Sequence, residues 1–320
     1  MIWAFVLATN IILETGEQKL VDNMNSNLKC YRCAECDGFG CPNMIPGLGG
    51  VMDGKNFQLN VQGWAKLFSL AQTHNDDKKI LQIQISPEKL RCGPVTGAVE
   101  NIGYQNEEDF YFPYLSNAAK SGFGLCVGDG CPDEKLAFGL KAIQKIKCKH
   151  KPKSVAFFLK PYPQKKLLER VDFVQEDADF IGIDIDSFNI ATMRNLVNLE
   201  KKSAEKLIEI KNHTDKKFVI KGVFTSEDIE LVQKVQPDVV YISNHGGRVE
   251  TRIGSTAEFL YENAKILKEN CAEIWIDGGI RTKKDIQTAL FYGASQVILA
   301  RPLIRATFDN FYKKFTKTIF

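Results

Sequence analysis

The feature that most constrains this chain is the run 218–302, where short β-branched segments alternate with helical patterns. The segments read FVIKGVF, VVYISNHGGR, IWIDGGIR and VILARPL. Between them, apolar residues recur at helical spacing over 226–235, 256–269 and 283–291. A continuous apolar segment reads as a strand buried on both faces, and a helix returning after each one makes the next strand parallel. Each segment also ends on a chemically capable residue: Lys221, His245, Arg248, Asp277, Arg281 and Arg301. In a closed barrel of βα units the strand C-termini and the loops after them build the active site. That placement predicts an enzyme rather than a binding module.

Four more units precede this run. KLRCGPV is expected as strand one, with a helix over 107–120. GFGLCVG (122–128) is strand two, with a helix over 133–147. SVAFFLK, cut off by Pro161, is strand three, with a helix over 164–176; FIGIDID is strand four, with a helix over 204–211. A last helix is expected from about Leu303, close to the end of the sequence. Eight such units predict an α/β protein with a (β/α)8 TIM barrel over 76–320. A chain of 320 residues is long enough to bury it. Residues 1–75 form an N-terminal extension that carries a Cys-rich segment and a lead-in helix over 56–73.

Within that extension, Cys30, Cys33, Cys36 and Cys41 are spaced C-x2-C-x2-C-x4-C, with a proline after the last. The spacing is close to an iron–sulfur run, one residue longer before the final Cys-Pro. Four thiolates could also wrap one zinc, or the segment could be a compact Gly/Pro-rich loop of reduced thiols. Crowded cysteines suit a reducing compartment, so a cytoplasmic location is expected. The apolar first thirteen residues lack a basic start, are followed by Glu14 and Glu17, and are too short to span a bilayer. With a net charge of +3 and no long Lys/Arg tract, neither a nucleic-acid nor a membrane partner is expected. Association with further copies of the chain is left open.

The chemistry is concentrated at the strand ends. IDGGIR and ARP close strands seven and eight, where barrels commonly hold a phosphate. Glycines there let backbone N–H groups converge on an anion, and Arg281 and Arg301 can add fork-shaped donors. In SNHGGR, His245 titrates near neutrality and can take a substrate proton, while Arg248 can grip a carboxylate with two parallel bonds. Lys221 is a Schiff-base former, a counter-ion to a developing anion, or half of a buried salt bridge. Asp184 and Asp186 could pair with it, bind a sugar-alcohol chain or position a substrate. No G-x-G-x-x-G follows an early strand, which argues against a dinucleotide.

Lys-Gly on strand five, Ser-Asn-His-Gly-Gly-Arg on strand six, Asp-Gly-Gly-Ile-Arg on strand seven and Arg-Pro after strand eight resemble the FMN-dependent 2-hydroxy-acid oxidase/dehydrogenase family, which includes glycolate oxidase and lactate oxidase. The Cys-rich segment, followed by PGLGG, resembles a divergent branch of that family. The resemblance implies FMN as cofactor, a small 2-hydroxy acid as substrate, and an electron acceptor it does not name. It implies His245 as base, Arg248 as carboxylate binder and Lys221 beside the flavin. Pro94, Val95, Thr96 and Gly97 would deliver backbone to the flavin, with Ser243 also in contact with it. Asp277 would hold the ribityl hydroxyls, and Gly278, Gly279, Arg281, Ala300 and Arg301 would surround the phosphate.

There are departures from the family pattern. Ala300 replaces a glycine, Lys160-Pro161 stands where a tyrosine is typical, and only Arg194 lies near the position of a second substrate arginine. Two alternatives follow: an FMN-dependent isomerase resembling type 2 isopentenyl-diphosphate isomerase, and a flavin-binding protein without turnover.

Overall fold

The computed structural model describes residues 55–320, apart from 103, 150, 190–196, 250 and 309–311. The cysteine cluster Cys30, Cys33, Cys36 and Cys41, and Arg194, lie outside the described residues.

Eight strands run parallel: β1 (Leu90–Cys92), β2 (Leu125–Gly128), β3 (Val155–Leu159), β4 (Phe180–Asp184), β5 (Lys217–Val223), β6 (Val239–Ile242), β7 (Glu273–Ile276) and β8 (Gln296–Leu299). Their order is β1-β8-β7-β6-β5-β4-β3-β2. The ring closes between β1 and β2, where Cys92 N–H donates to Gly124 O (3.0 Å) and Gly124 N–H to Leu90 O (2.9 Å). This is the (β/α)8 barrel expected from the alternation, and the strands are apolar because helices cover their outer faces.

Eleven helices accompany the strands among the described residues: α1 (Lys55–Thr73), α2 (Asp77–Gln82), α3 (Glu108–Lys120), α4 (Glu134–Lys147), α5 (Gln164–Val174), α6 (Ala204–His213), α7 (Ser226–Val235), α8 (Thr256–Lys268), α9 (Lys283–Phe291), α10 (Arg301–Phe308) and α11 (Tyr312–Ile319). Capping boxes start α7, α8 and α9, through Thr225 with Asp228, Ser255 with Glu258, and Thr282 with Asp285. In each, a hydroxyl and a carboxylate satisfy backbone donors that the first helical turn leaves open. No helix among the described residues is long and apolar enough to cross a membrane.

Several boundaries differ from expectation. Strand one stops at Cys92, since Pro94 has no N–H for the ladder. Strand two begins only at Leu125, after Gly122 takes a φ of +75° that no strand accommodates. The fifth helix ends at Val174 and tightens into a 3-10 turn over Gln175–Asp177. Two helices rather than one follow β8, and α2 and a π-turn over Ala98–Ile102 had no counterpart in the sequence reading.

Strand alternation sorts the barrel interior into layers. Low in the barrel, the buried Arg91 guanidinium lies over the Trp275 ring at 4.2 Å and the Phe180 ring at 5.2 Å. Arg91 donates to Ser154 Oγ and Gln296 Oε1. Above it, Phe158 meets Tyr241 edge-on with centroids 5.3 Å apart, and Gly182 leaves room for that ring. The next layer up opens the mouth and is charged.

Candidate active site

Asp184 pairs with Lys221 in the β4–β5 register, and Lys221 with Tyr241 in the β5–β6 register. Neighbours in register on parallel strands face the same side, so Asp184 and Lys221 both enter the barrel. Their ion pair is 2.8 Å long and buried, with Lys221 3% exposed. The salt-bridge alternative for Lys221 is therefore realised. Lys221 Nζ lies 5.3 Å from the Tyr241 ring centroid and 3.3 Å from His245 Nε2.

His245 opens a 3-10 turn, His245–Gly247, separated from the end of β6 by two residues. Its own φ is +53° and that of Gly246 is +65°, a left-handed stretch that carries the imidazole back over the barrel axis. Asp186 Oδ2 lies 2.9 Å from Nδ1 and Asp184 Oδ2 lies 3.0 Å from Nε2. Carboxylates only accept hydrogen bonds, so the arrangement is satisfied by the imidazolium. Burial alone would lower the His245 pKa, but Asp184 and Asp186 raise it above its ordinary value. Burial alone would raise Asp184, yet His245 and Lys221 hold it well below the usual carboxylate range. Asp186 goes the other way: burial raises it despite His245, and its Oδ1 has no hydrogen-bond partner.

Helix α1 lies across this end of the barrel. Asn56 and Asn60, one turn apart and fully buried, face the strand-six and strand-seven loops. Asn60 Nδ2 donates to Asn244 Oδ1 at 2.7 Å and Asn56 Nδ2 to Val249 O at 2.8 Å. Thr256 N–H donates to Asn60 Oδ1, Gly254 N–H to Asn56 Oδ1, and Trp64 Nε1–H to Gly278 O. The glycines read as phosphate-loop residues carry a packing duty as well. A Cβ on Gly279 would stand 1.9 Å from Asn60 O, and one on Gly247 2.5 Å from Phe57 N. The helix that the sequence grouped with the N-terminal extension is thus built onto the barrel mouth. A pair of asparagines at i and i+4 on an otherwise apolar face was the signal for it.

The remaining expected residues ring the mouth. Asp277 Oδ2 accepts from Tyr241 Oη at 2.8 Å, while its Oδ1 is buried without a partner. Ser243 is fully buried, and its Oγ accepts from His245 N–H at 3.2 Å. Arg248 ends the 3-10 turn and is half-buried. Arg281 is pushed down to about 10 by desolvation, with Arg305 acting in the same direction. Arg301 Nη2 donates to Gly246 O, and its guanidinium stands 5.0 Å from the Phe57 ring centroid. Ala300 packs on Gly93, where a Cβ would come within 2.7 Å of its own. After β1, Pro94 O lies where a Cβ on Gly128 would fall, and Gly97 N–H donates to Glu107 Oε1 at 2.9 Å. The structure thus gathers Lys221, Ser243, His245, Arg248, Asp277 and Arg301 at one end of the barrel, with Asp184 and Asp186 added as partners.

The model of the family described as FMN-dependent dehydrogenase matches residues 149–309, half of the chain. Among characterised proteins, 2-hydroxyacid oxidase 2 of Rattus norvegicus is 36% identical over 87 residues, covering 27% of this chain and 24% of that one. The L-lactate dehydrogenase (cytochrome) of Wickerhamomyces anomalus is 39% identical over 114 residues, covering 34% and 20%. The 4-hydroxymandelate oxidase of Amycolatopsis orientalis is 33% identical over 102 residues, covering 32% and 28%. The chain therefore matches only about a quarter of the length of these relatives. A solved mandelate oxidase with benzoyl-formic acid superimposes with a TM-score of 0.53 at 18% identity, over 72% of both chains. A mandelate oxidase variant with 2-hydroxy-phenylacetamide gives 0.57 at 15% identity, over 83% of this chain and 84% of that one. At such identities the likeness speaks for the fold. The matched half runs from before β3 to α10 and contains every strand end that carries the charged mouth, so the chain belongs to the FMN-dependent dehydrogenase family.

Proposed function

We propose that this chain is an FMN-dependent oxidoreductase that oxidises a small 2-hydroxy acid to the 2-oxo acid. The observation that carries the reading is His245, held at the barrel mouth between two carboxylates, with Lys221 beside it and Arg248 three residues on. The donor set fits the cofactor. A buried ammonium at Lys221 suits a ring that gains negative charge, and the desolvated Arg281, with Arg305 beside it, suits a phosphate. Asp277 Oδ1, a buried acceptor without a partner, suits a sugar-alcohol hydroxyl. When bound there, FMN would supply the two-electron acceptor that takes hydride from the substrate α-carbon.

The protein's own residues do the rest. Arg248 grips the substrate carboxylate with a two-pronged bond that only a guanidinium provides. His245, in its neutral form, removes the hydroxyl proton, and Asp184 and Asp186 stabilise the imidazolium so formed. Lys221, fixed by Asp184, answers negative charge as it develops on the acceptor side. The closed barrel floor beneath, filled by Phe158, Tyr241 and Trp275, keeps water from that layer.

The test is anaerobic bleaching of the purified holoprotein by a set of 2-hydroxy acids. His245→Gln should retain FMN yet reduce it at least about 100-fold more slowly, the scale of a lost general base. A parent protein whose flavin no hydroxy acid bleaches would remove the reading.

A further inference from the structure

Lys160 is not used by the chemistry above, and its position is unusual. It follows β3 directly, two residues after Phe158, whose ring lies against Tyr241 and Trp275 inside the barrel. Strand alternation turns residues two apart to the same face, so Lys160 enters the barrel one layer above Phe158. The β3–β4 register sets Leu159 against Ile183, and the next step sets Lys160 beside Asp184. Lys160, Asp184 and Lys221 therefore share the charged layer at the mouth.

Lys160 is 7% exposed, and among the described residues no hydrogen bond or ion pair engages its ammonium. Only its backbone N–H is engaged, donating to Asp129 Oδ2 at 3.2 Å. Each carboxylate around it faces another cation, although Asp186 Oδ1 has no hydrogen-bond partner. Asp129 holds Arg170 at 2.8 Å, Asp184 holds Lys221, and Asp186 faces His245. Burial accordingly lowers the Lys160 pKa, against the pull of Asp184 and Asp129, while the paired Lys221 is raised. A buried ammonium without a partner is costly, and this one stands at the strand ends where a barrel builds its active site.

We infer that Lys160 is a specificity-determining residue whose ammonium receives a second anionic group on the substrate, so that the preferred substrate is a 2-hydroxydicarboxylic acid. The inference rests on the proposed oxidation of a 2-hydroxy acid at this site. Arg248, after β6, is assigned the first carboxylate, and its fork engages both oxygens of that group. Lys160, just after β3, stands three strands away in a ring of eight, so it approaches the bound molecule from another side. An acid with carboxylates at both ends of a short chain satisfies both cations; a monocarboxylate leaves Lys160 buried and unmatched.

The experiment compares 2-hydroxydicarboxylates with 2-hydroxymonocarboxylates of equal chain length on parent, Lys160→Met and Lys160→Arg holoproteins, reading flavin reduction. The parent should favour the dicarboxylate. In Lys160→Met its kcat/KM should fall about 10- to 100-fold, the worth of a hydrogen bond to a charged group, with the monocarboxylate nearly unmoved. Lys160→Arg should keep the preference, which separates lost charge from lost folding. Equal losses for both substrates, or an unmoved ratio, would overturn the assignment while leaving the oxidation reading intact. As a measurement independent of turnover, succinate and butyrate are titrated against the flavin absorbance. Succinate binding that is tighter than butyrate binding in the parent, and lost in Lys160→Met, supports the site even if no hydroxy acid bleaches the flavin. Equal affinity of the parent for the two would sink it.

Discussion

At the scale of single residues, His245 shows how a fold tunes an imidazole. Both ring nitrogens face carboxylates, and the imidazolium is favoured above the ordinary value near 6.5. In the proposed role of base the ring must be neutral to act, so flavin reduction should rise with pH through that elevated value. Asp186→Asn removes one of the two carboxylates, and the ascending limb should move to lower pH by about one unit or more, the effect of a close opposite charge. Reduction rates measured across pH 5–10 check this, and a limb that stays in place would separate Asp186 from the base. The same raised value has a stability consequence. Its contribution is fully present below about pH 6.5 and lost as pH rises through the folded value. The denaturation midpoint of the parent should therefore fall on the alkaline side more than that of His245→Gln.

At the scale of elements, α1 and the turn after β7 form one unit. Gly278 and Gly279 hold φ of +95° and +75°, where side chains are disfavoured, and the space a Cβ would need is filled by Thr256, Asn60 and Val61. Gly279→Ala should cost about 3 kcal/mol, from overpacking and left-handed backbone together. It should also weaken FMN retention, because the turn carries both α1 and Arg281. Urea melts of the holoprotein and apoprotein read the two effects separately. Asn60→Ala removes hydrogen bonds to Asn244 and Thr256 and leaves buried polar groups unmatched, at about 1–3 kcal/mol. An Asn60→Ala protein as stable as the parent would mean that α1 is held by its apolar contacts alone.

At the scale of the whole molecule, the barrel is unevenly sewn. β3–β4 and β4–β5 pair over four and five residues, whereas β1 meets β2 through the single bridge Arg91–Gly124. Local opening should begin there, because few backbone bonds must break. Hydrogen exchange should show the Leu90–Cys92 and Leu125–Gly128 amides exchanging before those of β4 and β5. Uniform protection around the ring would contradict it. The buried Arg91 among Trp275, Phe180 and Gln296 anchors that seam from inside, and it holds the floor on which the charged layer stands.

Periodicity alone determined that this chain alternates strand and helix, because a strand buried on both faces and an amphipathic helix each leave an apolar pattern that local sequence carries in full. It also placed Lys221, His245, Arg248 and Asp277 at or near strand ends, since the motif residues lie within a few positions of where their strands stop. What the tertiary structure decided is which charges meet. That Asp184 takes Lys221 and that Asp186 joins it on the two sides of His245 depends on ring order and register between segments some 24 to 61 positions apart. The seating of α1 on Gly279 is of the same kind, a contact across more than two hundred residues. Pairings of this sort leave no local pattern, because the energy that selects them comes from burial and geometry that exist only once the barrel has closed.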